Sequence, residues 1–553
     1  MARLPAGSLD CRLDRSATRA PDAADRPAVE HRPGSGPGCD GGLARARAPA
    51  ACQGAQNSSQ PSLRGIASGP SGDRLSVTET FDYVVIGSGA AGSSAARALV
   101  DLAPEVAVVE EGPSVPTEQF SDRAFPSLAR LYRDMGAQLT DGRAPILVLQ
   151  GRCLGGSTVV NSAIMRRLPE EVWAEWRDVH GLGAALPFAG IDNASAAIES
   201  ELHTASTPET VWGGNNRLMS LAAVRSGIAG SAIRRNVVGC RGSARCNVGC
   251  PVDAKQSMQV TYLPYAAERG ARLFTDSRAE RVELRGRRAV GVQTTAGFLA
   301  ARRAVLVAAS AVETPRLLWR SGVRSPHLGR HFQGHPGMAI VGLFDEEVRL
   351  GRGATQGFEL DGLRSDTRVK VETLAAPPET FFGGMPGVGR EWLSLMAGYA
   401  RSAVWVLPLR SYAEGRVSTG RWGRSISFRL DPRDLPNLRR GLRQAAELMF
   451  LAGAREVVCP VHGLPRRLRA DQLGLIESGT NDPSAYSLAM SHLFGTARMS
   501  SRPEAGVVGP DFCVRGTDNL YVVDSSVFPT NLGVNPQLSI MAMARLAVER
   551  LAA

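Results

Sequence analysis

The stretch Phe81-Asp-Tyr-Val-Val-Ile-Gly-Ser-Gly-Ala-Ala-Gly92 leaves few folds open to this chain. An apolar run of strand formers passes without a spacer into Gly87, Gly89 and Gly92, and then into the helix-forming run Ser93–Leu99. That order is a buried strand, a glycine turn and a helix. Gly87 permits the tight turn, Gly89 lets backbone approach a pyrophosphate, and Gly92 lets helix and strand pack closely. The helix N-terminus then offers unbonded N–H groups to phosphate. A second strand, Val106–Val109, ends at Glu110, eighteen residues past Gly92, where a carboxylate can bind a ribose diol. A bare GxGxxG match is weak, but strand, turn, helix, second strand and acid in this order favour a dinucleotide site over a structural glycine turn.

Later segments extend the same domain. Gly151-Arg-Cys-Leu-Gly-Gly-Ser-Thr-Val-Val-Asn161 holds Gly151, Gly155 and Gly156 beside two hydroxyls and an amide, which suits a close-contact loop as well as a plain surface turn. Ala304–Ala309 reads as a third strand, and Thr314-Pro315 as the start of a short helix closed by Gly322. Ala279–Val282 with Glu283–Val292 reads as a hairpin, with the Val282 backbone placed to hold an adenine edge. Near the C-terminus a lone His492 is followed by Asn519–Asp524 and by Gly533-Val-Asn-Pro536. Asn535-Pro536 predicts a helix start, Asn as N-cap and Pro at the first position, before the periodic run Gln537–Leu551.

Composition bounds the rest. At 553 residues the chain suits two interleaved domains and a tail. Residues 1–77, rich in Ala, Arg, Pro, Gly and Ser, predict a disordered tail. Residues 78–335 and 490–553 then make the nucleotide domain, and 336–489 a second domain whose short alternating runs suggest an antiparallel sheet with helices. The formal charge of +11 is carried almost wholly by scattered Arg, since Lys255 and Lys370 are the only lysines, so a nucleic-acid partner is not expected. No run of eighteen apolar residues predicts a membrane span, and no signal peptide is recognisable. Nine cysteines, an odd count, fit a reducing, cytoplasmic setting better than a secreted disulfide framework.

Four blocks together, Val84–Gly92, Gly151–Asn161, Ser310–Val323, and Ser491–Met499 with Asn519–Ile540, resemble the glucose-methanol-choline (GMC) oxidoreductases. Gly533–Pro536 is most similar to the cholesterol oxidase and long-chain alcohol oxidase branches; Arg324 departs from the family's usual Gly after Ser-Gly-Val. The resemblance implies an FAD-binding, doubly wound Rossmann-like domain interleaved with a substrate domain. Gly87, Gly89 and Gly92 would face the pyrophosphate and Glu110 the ribose. Gly155, Gly156 and Asn161 would lie along the flavin side, Asp524 would close the site, and the helix from Pro536 would aim its positive end at the flavin. It implies oxidation of the CH–OH group of a hydrophobic alcohol by hydride transfer to flavin N5, with His492 as base or hydrogen-bonding partner and Asn535 orienting the oxygen. A lyase of the hydroxynitrile type on the same fold and a redox-inactive flavin protein remain alternatives, and oxygen, a quinone or a cytochrome as electron acceptor.

Two features fall outside that core chemistry. Cys240, Cys246 and Cys250 have a spacing similar to that of flavin-dependent sugar dehydrogenases of the family, where it resembles a [3Fe–4S] site; a buried cysteine loop or a local disulfide is the other reading. Phe382, Met385, Trp392, Met396 and Tyr399 suit either a pocket for an apolar alcohol or ordinary core.

Overall fold

A computed structural model describes residues 66–68, 78–103, 105–419 and 425–552. The expectation for residues 1–77 lies outside the described residues, save that Ile66–Ser68 form a parallel edge strand against Arg272–Thr275. The first sheet is built on Thr78–Ile86, the strand that feeds the glycine turn. Val106–Val109 pairs with it in parallel on one side, in the register Tyr83↔Val106 to Ile86↔Val109, and Arg272–Thr275 follows outside that. On the other side lies Gly297–Val307, longer than the sequence predicts. Its first half pairs antiparallel with Arg288–Thr294 of the hairpin, whose other strand is Ala279–Arg285. Its last residues, Val305–Val307, pair in parallel with Leu520–Val522. All four residues of Val106–Val109 are buried, as a strand covered on both faces requires.

The helix Ala90–Leu99 begins at the fingerprint and packs against the C-terminal helix Gln537–Ala552, where Ser94 Oγ donates to the Met541 carbonyl at 2.9 Å. Ser310–Arg320 is a full helix containing Pro315, rather than one starting at Thr314-Pro315. Pro315 has no N–H to give the Ala311 carbonyl. Thr496 Oγ donates to that oxygen instead, at 2.6 Å, which lets the helix run through its proline.

The second sheet is antiparallel at its centre. Gly337–Leu343 pairs with Ser402–Pro408 over seven positions, and Val371–Thr373 and Phe358–Leu360 follow. Helix Asp434–Leu451 covers it and stops before Gly453, whose φ of +102° ends the helix. Short strands from 138–148 and from Gly230–Ala232 also join this sheet, so pieces of chain expected with the nucleotide domain complete the edge of the other. Among the described residues no helix is long and apolar enough to cross a membrane.

Candidate active site

One cavity of about 460 Å³ has Gly87, Gly89 and Glu110 at its walls together with His492 and Asn535. The three fingerprint glycines do different work. A Cβ on Gly87 would stand 2.3 Å from the Ala308 carbonyl oxygen of the neighbouring strand, and one on Gly92 only 1.8 Å from the Gly87 oxygen. Gly92 is therefore a packing residue and does not line the cavity. A Cβ on Gly89 would meet no protein atom within 4 Å, so this position opens onto space.

Glu110 is buried at the end of its strand. Its Oε2 accepts from the Ser88 N–H at 3.1 Å and from Ser88 Oγ at 2.6 Å, and its Oε1 from the Gly112 N–H at 2.8 Å. Burial pushes its carboxyl pKa up, against the pull of these hydrogen bonds. Ser88 Oγ in turn accepts from the Gly155 N–H at 3.0 Å, which ties the Gly151–Asn161 loop to the fingerprint. Gly151, Gly156 and Asn161 line the cavity while Gly155 does not; it packs against Gln259. A Cβ on Gly156 would come within 2.9 Å of Gly89 Cα. Asn161 donates from Nδ2 to Gln537 Oε1, and its carbonyl accepts from the buried Lys255 Nζ at 2.8 Å. Asp524 accepts from the Ser310 N–H, Thr314 Oγ and the Ser526 N–H at 3.0, 2.5 and 2.8 Å, linking its strand end to helix Ser310–Arg320. Val282 stands apart from the cavity. Its N–H is spent on Ser321 Oγ at 2.8 Å and its side chain is core, while Arg278, Ala279 and Glu280 supply the wall there.

At the other end, His492 faces His335 through their Nδ1 atoms at 3.1 Å. The Gly533 N–H donates to His335 Nε2 at 2.8 Å, so that nitrogen holds the lone pair and His335 carries its proton on Nδ1. It then donates to His492 Nδ1, and His492 keeps its proton on Nε2, which has no protein hydrogen bond among the described residues. Burial lowers the His492 pKa to about 4 and puts that of His335 well below the usual value, so both rings are neutral. A lone His such as His335 carries no signal in the sequence until its partner, 157 positions on, is beside it.

Asn535 is not a helix cap. The first helical bond is from the Ile540 N–H to the Pro536 carbonyl at 2.9 Å, which makes Pro536 the residue at the cap. The Asn535 Oδ1 instead accepts from Lys370 Nζ at 2.8 Å. Of the five apolar and aromatic residues that suited either a pocket or ordinary core, Phe382, Met385, Met396 and Tyr399 pack with Phe381, Leu350 and Val404 in a separate cluster, and none of the five lines the cavity.

Cys240, Cys246 and Cys250 are free thiols around a small second cavity that they share with Arg235 and Lys255. The Gly242 N–H donates to Cys240 Sγ, and the Lys255 N–H to Cys250 Sγ. Among the described residues no group of three or more His, Cys, Asp or Glu is arranged to hold a metal ion, so the cluster reading finds no support in this geometry.

A family model described as GMC oxidoreductase matches residues 81–337, and its C-terminal counterpart matches residues 412–544. An uncharacterized GMC-type oxidoreductase of Mycobacterium tuberculosis is 36% identical over 485 residues, covering 86% of this chain and 76% of the relative. A long-chain-alcohol oxidase of Arabidopsis thaliana is 27% identical over 501 residues, covering 84% of this chain and 66% of that protein. Among solved structures, a pyridoxine 4-oxidase from Mesorbium loti aligns with a TM-score of 0.65 at 19% identity, over 85% of this chain and 98% of that one. A formate oxidase of Aspergillus oryzae aligns at 0.64 and 15% identity, over 86% and 98%. These two share the fold.

Proposed function

The chain belongs to the GMC oxidoreductase family, and from that premise we propose that it is an FAD-dependent enzyme oxidising the CH–OH group of an alcohol, with His492 and Asn535 holding the substrate oxygen. The observation that carries this reading is the single cavity shared by the dinucleotide fingerprint and these two side chains. Its residues fit FAD: Gly89 leaves room where a side chain would stand, and Glu110 keeps an oxygen lone pair beyond those used by Ser88 and Gly112. When bound, FAD supplies the acceptor for the hydride.

The protein's part is to hold the alcohol oxygen and take its proton. In the resting arrangement His492 Nε2–H and the Asn535 amide both offer donors. For His492 to accept the alcohol proton on Nε2, the histidine pair must run in the opposite order, with His492 donating from Nδ1 to His335 and His335 giving up its bond from Gly533. That exchange costs about one buried hydrogen bond, ~1–3 kcal/mol. The proton balance then closes: with FAD bound as hydride acceptor, the alcohol would give its H⁺ to His492 Nε2 and would leave as a carbonyl compound. The named activity of the Arabidopsis relatives supports an alcohol as substrate. The aromatic cluster gives no ground for an apolar one, because it packs away from the cavity. The test is anaerobic addition of short, polyhydroxylated, aromatic and long-chain alcohols to purified protein. Bleaching of the oxidised flavin bands by at least one class is expected, and protein that purifies without flavin overturns the reading.

A further inference from the structure

The chain has 64 basic residues and only two are lysines. Both are buried, and each bonds a residue in the wall of the same cavity: Lys255 the Asn161 carbonyl and Lys370 the Asn535 side chain. We propose that Lys370 is a positioning residue that fixes the Asn535 amide with its N–H₂ group turned to the substrate oxygen, an inference that rests on the alcohol-oxidising reading of the site.

Lys370 Nζ lies 2.5 Å from Glu359 Oε2, 2.6 Å from Glu372 Oε1 and 2.8 Å from the Asn535 side-chain oxygen. Nζ donates to Glu372 and to Asn535 and is ion-paired with Glu359; an ammonium has donors only, so the atom Asn535 turns to it must be oxygen. The amide nitrogen then points the other way, and it has no protein hydrogen bond among the described residues. Neither carboxylate is free to swing aside. Gln356 Nε2 donates to Glu372 Oε2 at 2.8 Å, and Arg166 lies 3.3 Å from Glu359 Oε1. Two carboxylates and an amide oxygen converge within 2.8 Å of one atom, which suits the compact point charge of an ammonium better than a planar guanidinium. The cluster sits on the strands Phe358–Leu360 and Val371–Thr373 and their flanks, so the second sheet orients a side chain that belongs to the C-terminal segment.

Without the ammonium, the two carboxylates attract the amide N–H₂ group, the amide turns over, and the cavity meets an acceptor in place of a donor. The test uses flavin-loaded full-length protein and acetate, whose oxygens need donors, titrated by its perturbation of the flavin absorption spectrum. Lys370→Met is expected to weaken acetate binding about tenfold or more, in keeping with the loss of a hydrogen bond to a charged group. In an Asn535→Ala background the same change is expected to add less than about twofold, because the residue it acts through is gone. Should Lys370→Met fail to fold, Asn535→Asp decides. It keeps Lys370 partnered yet sets an oxygen toward the cavity; because it also adds a buried negative charge, it is read with acetone, a neutral acceptor, beside acetate, and both are expected to bind more weakly. Wild-type protein blind to acetate, unchanged affinity in either single variant, or full additivity in the Ala background each overturns the inference. Wild-type flavin reduced by none of the alcohols, with acetate behaving as expected, overturns the alcohol reading and leaves the role of Lys370 standing.

Discussion

His335 and His492 meet Nδ1 to Nδ1 at 3.1 Å with their ring planes 85° apart, and the backbone N–H of Gly533 at the far side of His335 decides which way the proton between them lies. The His492 end of the cavity is thus set by a three-member hydrogen-bonded chain that ends in the C-terminal segment.

Replacing His492 by Ala is expected to leave flavin bound and to slow its anaerobic reduction by alcohol about 10²- to 10⁴-fold, the usual contribution of a positioned acid–base group. Flavin-to-protein ratio and stopped-flow bleaching separate the two effects. Loss of flavin with rates per bound flavin unchanged would assign His492 a structural role.

The pH dependence follows from the depressed pKa of the same residue. The ring must be neutral to take a proton, so the acid limb of kcat/KM is expected near pH 4 rather than 6.5. Stability runs the same way. The folded value lies below the unfolded one, so the unfolded chain protonates first. The contribution is whole above pH 6.5 and is lost as pH falls from 6.5 to about 4. Rate profiles and thermal melts across that window check both, and a break in kcat/KM at 6.5 contradicts the burial argument.

Two alanine substitutions in the fingerprint should part ways. Gly92→Ala places a Cβ 1.8 Å from the Gly87 oxygen, with no flexible neighbour to yield, and is expected to abolish folding of the nucleotide domain. Gly89→Ala meets no protein atom within 4 Å, and is expected to melt like the wild type while binding flavin at least tenfold more weakly. Melting curves and flavin titration of refolded apoprotein distinguish them.

Glu110→Gln turns a carboxylate that accepts three hydrogen bonds into a group that must set an N–H₂ against a donor. A stability loss of about 1–3 kcal/mol is expected, the cost of a buried donor left unpaired. Equal denaturant midpoints for variant and wild type would show that Ser88 and Gly112 find other partners.

The nucleotide half was legible because its signals are local. Strand, glycine turn, helix and Glu110 lie within thirty residues of one another, and each glycine announces its own geometry. The half that holds His492 and Asn535 was legible only in part. His492 and Asn535 could be picked out as residue types near turns, but what orients them comes from Lys370 and His335, 165 and 157 positions away, and no periodicity links such pairs. Asn535 was read as a cap because Asn-Pro before an apolar run fits one; the tertiary ammonium outcompetes the backbone for its oxygen. Phe382, Trp392 and Tyr399 stayed ambiguous for a related reason, since an apolar stretch fills a core as readily as it lines a pocket. The scarcity of lysine was in plain view and marks Lys255 and Lys370 as unusual before any contact is known.

The bond from Ser94 to the Met541 carbonyl joins groups 447 residues apart. A ribosome adding about 5–20 residues per second needs roughly 20 to 90 s to produce the second partner after the first. Throughout that interval the helix Ala90–Leu99 has emerged with its docking face bare, and the cavity lacks the wall that contains Asn535. The cavity is therefore closed only by the end of the chain, so the two halves of the site become one in the last step of synthesis.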